Sequence, residues 1–505
     1  LLSYEINAFA SYDVAFKTKI DIEKSPIRAR AEKGNIILNV HPFSDIPVSS
    51  ILSELISLGG EMVELETDIN YAVISINQES AQKILGLPFV QFIDWKYDAG
   101  YPENYTSRTM HRTNFLAPES TNNIGYNGEG INVMLQDDGS IGEHIDHEGR
   151  ILEQFWQAST GDHGDHVGGT INGAGNLNPY HEGQAKGSNL YVYKAAPQYQ
   201  GFDSIATHYY TKNVVITSTS YSNGCNAGYT ALARTMDEQV FDLEHLVHVF
   251  SAGNSGTSNC GYGAGSTWGN ITGGHKVGKN VITVANLNEN DILATSSSRG
   301  PAFDGRIKPD ISAKGTSVTS TQEDNTYGVK SGTSMSCPGV SGTLAVLYSA
   351  YDGEQGELPP SGLMKAIVLN TADDLGNVGP DFKYGWGRIN ARKAYEVISN
   401  SNFTTGSLSD GDSTQFTLIV PTGSSKARFM LYWTDPEAST SASTSLVNDL
   451  DLVIIDPSNN ENLPYVLDHT PSTTTLNYPA VPDQDHLNNM EQVEFFAPAS
   501  GNYLV

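Results

Sequence analysis

The sequence predicts a central α/β domain with a doubly wound, mostly parallel sheet, preceded by a small α+β domain and followed by an all-β sandwich. Three observations support this prediction. Apolar strand-like runs alternate with helical stretches over residues 125–400, a shorter mixed pattern precedes them, and alternating apolar residues without helical spacing follow. Parallel strands need crossover connections, which helices provide on both faces of a sheet.

The small N-terminal domain is predicted over residues 34–97. Strand-like and helical patterns follow one another there in the order βαββαβ, a split-βαβ arrangement. The runs are Ile36 to Val40, Leu52 to Ile56, Met62 to Leu65, Ala72 to Ile76, Gln78 to Leu85 and Val90 to Ile93. Residues 1–33 lack clear periodicity and are assigned as an N-terminal extension, and the polar residues 98–124 are typical of a linker.

The central domain contains five strand-like runs and at least one long helical stretch, Tyr229 to Leu243. The runs are Ile131 to Leu135, Leu190 to Tyr193, Val214 to Ile216, Val247 to Phe250 and Val281 to Val284. In such sheets the functional residues lie on loops at the carboxyl ends of the strands. Residues 401–505 alternate in the manner of antiparallel strands and stop in a strand-like run, so we expect this sandwich to be truncated.

Composition excludes several classes of protein. The 505 residues include 57 acidic and 29 basic side chains, and the net charge of -28 disfavours binding to nucleic acid or anionic lipid. No run of 18 apolar residues occurs, so no membrane span is predicted. The three cysteines allow at most one intrachain disulfide.

A serine surrounded by small residues is the first candidate for chemistry. Ser334 lies within the segment Ser331 to Gly339, four residues before Pro338. Small neighbours let a substrate backbone approach the hydroxyl, and Pro338 is expected in the first turn of a helix, where a missing N–H costs nothing. On these residues alone, an ordinary turn is an equally good interpretation.

Three further residues could assist such a serine, which requires a base, an orienting carboxylate and an oxyanion donor. Asp137 ends a strand-like run, His163 follows 26 residues later in a glycine-rich segment, and Asn254 follows another buried run. His166 lies three residues after His163, but no third ligand at a recognised spacing supports a metal site there.

The order Asp, His, Asn, Ser resembles that of the subtilisin-like serine proteases, the subtilases, over roughly residues 110–399. Matching segments also occur at Ser296 to Pro301, Asp304 to Ile311 and Tyr384 to Gly387. The resemblance implies a serine endopeptidase with Asp137, His163, Ser334 and Asn254 as orienting carboxylate, base, nucleophile and oxyanion donor. It also implies that substrate binds along two segments: Ser220, Tyr221 and Ser222, and Ser251, Ala252 and Gly253.

The departures from the family pattern lie around these residues. Asp138 and Asp165 stand where the family usually has Ser or Thr, and both carboxylates are expected to raise the pKa of His163. Ser222 stands where Gly is common, so Tyr221 or Ser222 is expected to narrow the substrate subsites. A disulfide between Cys225 and Cys260 is expected on loops bordering the cleft, with Cys337 as a small packed residue.

The flanking domains resemble parts of exported subtilases. The N-terminal domain resembles their ferredoxin-like inhibitory propeptide, which implies a zymogen with its processing site between Trp95 and about Arg112. The last domain resembles a jelly-roll sandwich found after some catalytic domains. Calcium is the one cofactor expected, with Asn448, Asp449, Asp451 and Glu491 as ligands, although solvated turns explain these residues equally well.

The sequence therefore predicts a secreted or cell-surface zymogen that acts as a monomer on protein or peptide substrates, with its own propeptide as inhibitor. No organic cofactor, nucleic-acid partner or membrane span is expected. Two alternatives stay open: a transpeptidase or macrocyclase on the same fold, and a binding or adhesion protein with a decayed protease domain.

Overall fold

The computed structural model describes residues 17–18, 35–67, 70–96, 105–122, 124–155, 161–194, 200–225, 228–440 and 442–505. Two compact units are present, Leu1–Tyr101 and Pro102–Val505. The predicted N-terminal extension lies outside the described residues apart from Lys17 and Thr18, as do residues 98–104 and 123 of the predicted linker. No helix in the described ranges is long and apolar enough to cross a bilayer.

The first unit is a four-stranded antiparallel sheet with two helices. Its elements are β1 (Ile36–Pro42), α1 (Val48–Ser57), β2 (Glu61–Glu66), β3 (Tyr71–Ile76), α2 (Gln78–Leu85) and β4 (Val90–Trp95). The strand order β2-β3-β1-β4 confirms the ferredoxin-like prediction. One apolar core joins Leu38 and Val40 of β1 to Ile51 of α1 and Ile84 of α2. Asn77 caps α2 by accepting the Ser80 N–H at 2.9 Å.

The second unit contains a seven-stranded parallel sheet in the order β11-β10-β9-β8-β5-β7-β6. Its strands are β5 (Asn132–Asp137), β6 (Ile151–Gln154), β7 (Asn189–Lys194), β8 (Val214–Thr219), β9 (Val247–Ser251), β10 (Ile282–Leu287) and β11 (Ile311–Lys314). Its helices are α3 (Tyr105–His111), α4 (His163–Asn172), α5 (Gln200–Lys212), α6 (Ala231–Asp242), α7 (Thr333–Gln355), α8 (Ser361–Asn370) and α9 (Ala391–Ser399). A hairpin of β12 (Val318–Gln322) and β13 (Thr326–Lys330) packs on α4.

Alternating side chains of the central strand bury into two different cores. Val133 and Leu135 of β5 belong to the core that contains α4 and α7, whereas Met134 belongs to the core that contains α5 and α6. Helices therefore cover both faces of the sheet, which confirms the doubly wound prediction.

The sequence patterns did not predict the two outermost strands of this sheet. β6 and β11 are four residues long, and each contains a charged residue, Glu153 and Lys314 respectively. Short segments of mixed polarity give no periodic signal, so only their partners in the sheet identify them as strands.

The C-terminal region is a set of antiparallel strands, as predicted. They are β14 (Thr417–Val420), β15 (Lys426–Tyr432), β16 (Ile454–Ile455), β17 (Glu461–Asn462), β18 (Tyr465–Val466), β19 (Val481–Pro482), β20 (Met490–Phe496) and β21 (Gly501–Leu504). Phe429 and Val493 of one sheet pack with Ile454 and Tyr503 of another, as in a sandwich. This sandwich belongs to the same compact unit as the parallel sheet.

Candidate active site

Asp137 and His163 form the centre of the site. Asp137 is the last residue of β5, His163 is the first of α4, and the His163 Nδ1 lies 2.6 Å from the Asp137 Oδ1. The carboxylate is almost fully buried, whereas the imidazole keeps about a third of its surface exposed. A buried carboxylate that accepts from Nδ1 fixes the ring and leaves the Nε2 edge to exchange protons with a ligand.

Asp138 holds the start of the helix that carries this histidine. Its two carboxylate oxygens accept the backbone N–H groups of His163 at 3.1 Å and Gly164 at 2.8 Å. These N–H groups lack partners within the helix, and the positive end of the helix dipole favours a carboxylate there. A Cβ at Gly164 would lie 2.8 Å from the Asp138 Oδ1, so this contact needs glycine. Asp138 thus positions the backbone of His163.

The electrostatics of His163 favour its protonated form. Burial lowers its pKa, but the Asp137 carboxylate, the hydrogen bond to it and the Asp138 carboxylate outweigh burial, so the pKa lies above its ordinary value. Lys330 opposes this shift. The expected effect of Asp138 is confirmed in direction.

Asp165 is not among the groups that shift the pKa of His163 most. Burial raises the pKa of Asp165 itself to about 6. Its Oδ1 accepts the Gly142 N–H at 2.7 Å, and Glu323 raises its pKa further. Asp165 therefore secures the Gly142 loop.

Ser334 is the second residue of α7 and is 8% exposed. Its Oγ donates to the Ser220 carbonyl at 3.0 Å, and the Ser220 Oγ donates to the Ser334 carbonyl at 3.1 Å. The prediction that Pro338 lies in the first helical turn is wrong, because the helix begins at Thr333. Pro338 therefore removes the N–H that the Ser334 carbonyl would normally accept, and the Ser220 hydroxyl replaces it.

Asn254 lies beside the same helix end. Its Oδ1 accepts from the Thr333 backbone N–H at 3.0 Å and from the Thr333 Oγ1 at 3.1 Å. Because its oxygen is held in this way, the Asn254 side chain places its NH2 group near Gly332. A Cβ added to Gly332 would lie 3.2 Å from the Asn254 Nδ2. An amide oriented in this way next to the Ser334 N–H can bind an oxyanion.

The sequence model of the subtilase family matches residues 128–387, which is more than half of the chain and includes all four candidate residues. The chain belongs to the subtilase family. Membership supports a proteolytic function, that of a serine-type peptidase with protein or peptide substrates.

Relatives agree with the family. The chain is 26% identical to Subtilisin E of Bacillus subtilis (strain 168) over 351 residues, covering 66% of this chain and 83% of that protein. It is 29% identical to Subtilisin DY of Bacillus licheniformis over 284 residues, covering 54% and 92%. It is 35% identical to the C5a peptidase of Streptococcus pyogenes over 111 residues, covering 20% and 9%.

The loop after β8 and the loop after β9 of this subtilase are joined covalently. Cys225 and Cys260 form a disulfide, as expected, and Cys337 is free and buried. Cys225 also pairs with Thr272 in a β-bridge, and Gly273 N–H donates to the Gly224 carbonyl at 3.1 Å. The segment after β8 is thus fixed to the segment around Thr272.

Three of the predicted calcium ligands of the subtilase, Glu491, Asp449 and Asp451, lie near one another, and Asn448 contacts other residues. Glu491 is 1% exposed. Burial, and then the neighbouring charges of Asp485, Asp451 and Asp449, raise its pKa to about 8. Its Oε2 accepts the Leu452 N–H, while its Oε1 has no hydrogen-bond partner in the described part of the chain.

The backbone of Asn448 is held by other residues: its N–H donates to the Asp435 Oδ1 at 2.8 Å, and its backbone carbonyl accepts from the Trp433 Nε1 at 2.9 Å. Asp449 accepts from His486 at 2.8 Å. Within the described ranges, no group of three or more His, Cys, Asp or Glu side chains is arranged to hold a metal ion.

Proposed function

We propose that this subtilase is an endopeptidase that cleaves protein amide bonds through an acyl-enzyme on Ser334. The observation that supports this most is the 2.6 Å bond between Asp137 and His163, beside the helix that begins with Thr333 and Ser334 and is flanked by Asn254. His163 takes the proton of the Ser334 hydroxyl as the oxygen attacks the substrate carbonyl, and later gives it to the leaving amine. Asn254 and the Ser334 N–H bind the oxyanion.

Attack requires one change from the geometry described. The Ser334 hydroxyl donates to the Ser220 carbonyl, so it must exchange this bond for one to the His163 Nε2. Hydrogen bonds between catalytic groups often form fully only when substrate is bound.

The test compares the purified protein with its Ser334→Ala variant. A fluorophosphonate probe should label only the wild-type serine, and a casein substrate should be cleaved only by the wild type. Labelling that persists in Ser334→Ala, or an unlabelled and inactive wild type, would refute the proposal.

We also propose that residues 34–97 are an inhibitory propeptide, so the protein is made as a zymogen. Support comes from their ferredoxin-like fold, which lies within the compact unit Leu1–Tyr101. Buried residues of α3 support a narrower processing region than the sequence alone suggested. Ser107 and His111 of α3 are 1% and 0% exposed, and the His111 Nε2 accepts the Lys314 N–H at 3.1 Å. We therefore expect cleavage before Tyr105, and the mass of the processed protein should correspond to a new N-terminus between residues 96 and 105.

Three further proposals complete this function. The protease is exported, which the disulfide supports because such bonds persist in oxidising compartments. It works as a monomer.

The sandwich binds calcium through Glu491, Asp451 and Asp449. Support comes from the buried Glu491 Oε1, which has no hydrogen-bond partner in the described residues and lies among neighbouring carboxylates. Calcium supplies structural stability in this role, and binding requires the two aspartates to close on Glu491.

A further inference from the structure

Lys276 is a fully buried cation beneath the predicted substrate-binding segments. It lies in the short helical turn Gly274–Val277 and has no exposed surface. Its Nζ donates to three hydroxyl groups, the Ser222 Oγ at 3.2 Å, the Ser251 Oγ at 3.4 Å and the Thr272 Oγ1 at 3.4 Å. Two of these residues belong to the segments expected to bind substrate.

Three other lysines that are fully buried in the described ranges have acidic partners. Lys279 pairs with Asp435, and both Lys308 and Lys365 pair with Asp310, at 2.5 Å and 3.1 Å. Lys276 has no carboxylate partner among the residues that the structure describes, and burial lowers its pKa to about 7. Burial of an unpaired ammonium is costly, whereas a carboxylate that joined it would remove most of that cost.

The position of Lys276 follows from the site that contains Ser334. Ser334 contacts Ser220, the residue after β8, and Asn254 lies three residues after β9, so a carbonyl attacked by Ser334 would lie between the carboxyl ends of these strands. The side chain of the residue that bears this carbonyl would enter between Ser222, which follows β8, and Ser251, the last residue of β9. Lys276 contacts both serines, so its amine lies where that side chain would end.

Ser222 connects this buried cation to the protein surface. Ser222 is an exposed residue, and its hydroxyl contacts both the Lys276 Nζ and the Thr272 Oγ1, the latter at 2.5 Å. The three hydroxyl groups accept from the ammonium group, and a hydroxyl that accepts from a cation is a stronger donor towards a ligand. A carboxylate entering here would receive hydrogen bonds from these hydroxyl groups or displace one of them from Lys276.

The neighbouring histidine does not supply the charge. His275 is fully buried, neither ring nitrogen has a hydrogen-bond partner in the described ranges, and its ring packs 4.8 Å from that of Phe250. Burial and the nearby Lys276 keep its pKa well below the ordinary value, so its imidazole is neutral. The positive charge at this place belongs to Lys276.

We propose, on the basis of the proposed peptidase function, that Lys276 determines specificity by selecting substrates with Asp or Glu immediately before the scissile bond. The protein carries a net charge of -28, which repels acidic peptides in general. A local cation at the end of the subsite is therefore what lets this enzyme accept them.

The test measures kcat/KM for matched peptides that differ only in Glu, Gln or Leu before the scissile bond. The wild type should prefer Glu over Gln by about 100-fold, the size of effect expected for a buried charge pair. Lys276→Met, which removes the charge from an unbranched side chain of similar length, should abolish this preference, so that the ratio of kcat/KM for the Glu and Gln peptides falls to about one. The ratio is measured within one preparation, so partial misfolding cannot imitate the result.

A binding measurement gives a second, independent readout. In Ser334→Ala, a product peptide that ends in Glu should bind about 100-fold more tightly than the same peptide ending in Gln, and Lys276→Met should remove the difference. An active wild type without a preference for Glu, or a preference that survives Lys276→Met, would overturn the inference. A wild type that neither labels nor cleaves any peptide overturns the proposed function first, and this inference with it.

Discussion

Ser220 and Ser334 exchange two hydrogen bonds, each hydroxyl donating to the carbonyl of the other residue, at 3.1 Å and 3.0 Å. One bond holds the candidate nucleophile, and the other replaces the helix bond that Pro338 cannot make. The end of β8 and the start of α7 are thereby joined at the place where substrate must bind.

Ser220→Ala should destabilise the protein by about 1–3 kcal/mol, because it leaves the buried Ser334 carbonyl without a donor. Chemical denaturation measures this change. The matched control is the double variant Ser220→Ala with Pro338→Ala, in which the restored N–H at position 338 can donate to the Ser334 carbonyl. Equal losses in the single and double variants would contradict the role assigned to the Ser220 hydroxyl.

Asn254→Ala should lower kcat by about 100- to 1,000-fold with little change in KM, because an oxyanion donor acts mainly in the transition state. Steady-state kinetics on one peptide measure both constants. The Asn254 Oδ1 also accepts from Thr333, so Thr333→Val serves as the control for lost positioning. A rise in KM alone for Asn254→Ala would show that this residue binds the ground state instead.

Asp138→Asn should move the acid limb of kcat/KM to lower pH. The base must be neutral, so activity falls as the pH drops through the pKa of His163, which the charge of Asp138 raises. Asparagine keeps an oxygen that accepts a helix N–H but lacks that charge. The Asp165→Asn variant is the control and should leave the limb in place. A limb that moves in Asp165→Asn but not in Asp138→Asn would reverse the assignment.

Periodic segments predicted the fold, whereas the four candidate residues had weak signals singly and were suggested by their order along the chain. Asp137 ends one buried strand, Asn254 follows another, and the glycines around His163 indicated a helix start. Contacts between distant segments gave no such signal. The hydroxyl of Ser220, 114 residues from Ser334, and the amine of Lys276, 54 residues from Ser222, find their roles only when the sheet forms.

Two expectations were limited for the same reason. The sequence shows that Asp165 is two residues from His163, but not that its carboxylate accepts the Gly142 N–H. It shows Pro338 after Ser334, but not where the helix begins, since helix boundaries are the least certain feature of a sequence pattern. The proline could nevertheless have indicated that the Ser334 carbonyl needs a donor from elsewhere.

Glu491→Gln should remove the response of the sandwich to calcium. Saturating calcium should stabilise the wild type by about 2–3 kcal/mol through binding to the native state, and a chelator should lower its Tm by several degrees. The variant should have the same Tm with calcium and with chelator. Asp456→Asn is a suitable control, because Asp456 is an exposed carboxylate whose partners are Asn460 and Ser458. A full calcium response in Glu491→Gln would exclude this residue as a ligand.

Replacing Cys225 and Cys260 together by serine should cost about 4 kcal/mol of stability, the chain-entropy value for a loop of this length. Denaturation of the wild type and the double variant measures the loss, and a reductant should destabilise only the wild type, because Cys337 remains a buried thiol in both. The bond also keeps Cys225 beside Thr272, whose hydroxyl contacts Lys276. The double variant should therefore lose preference for acidic peptides as well as stability. A variant that is less stable but equally selective would show that the hydrogen bonds around Lys276 hold the subsite without the disulfide.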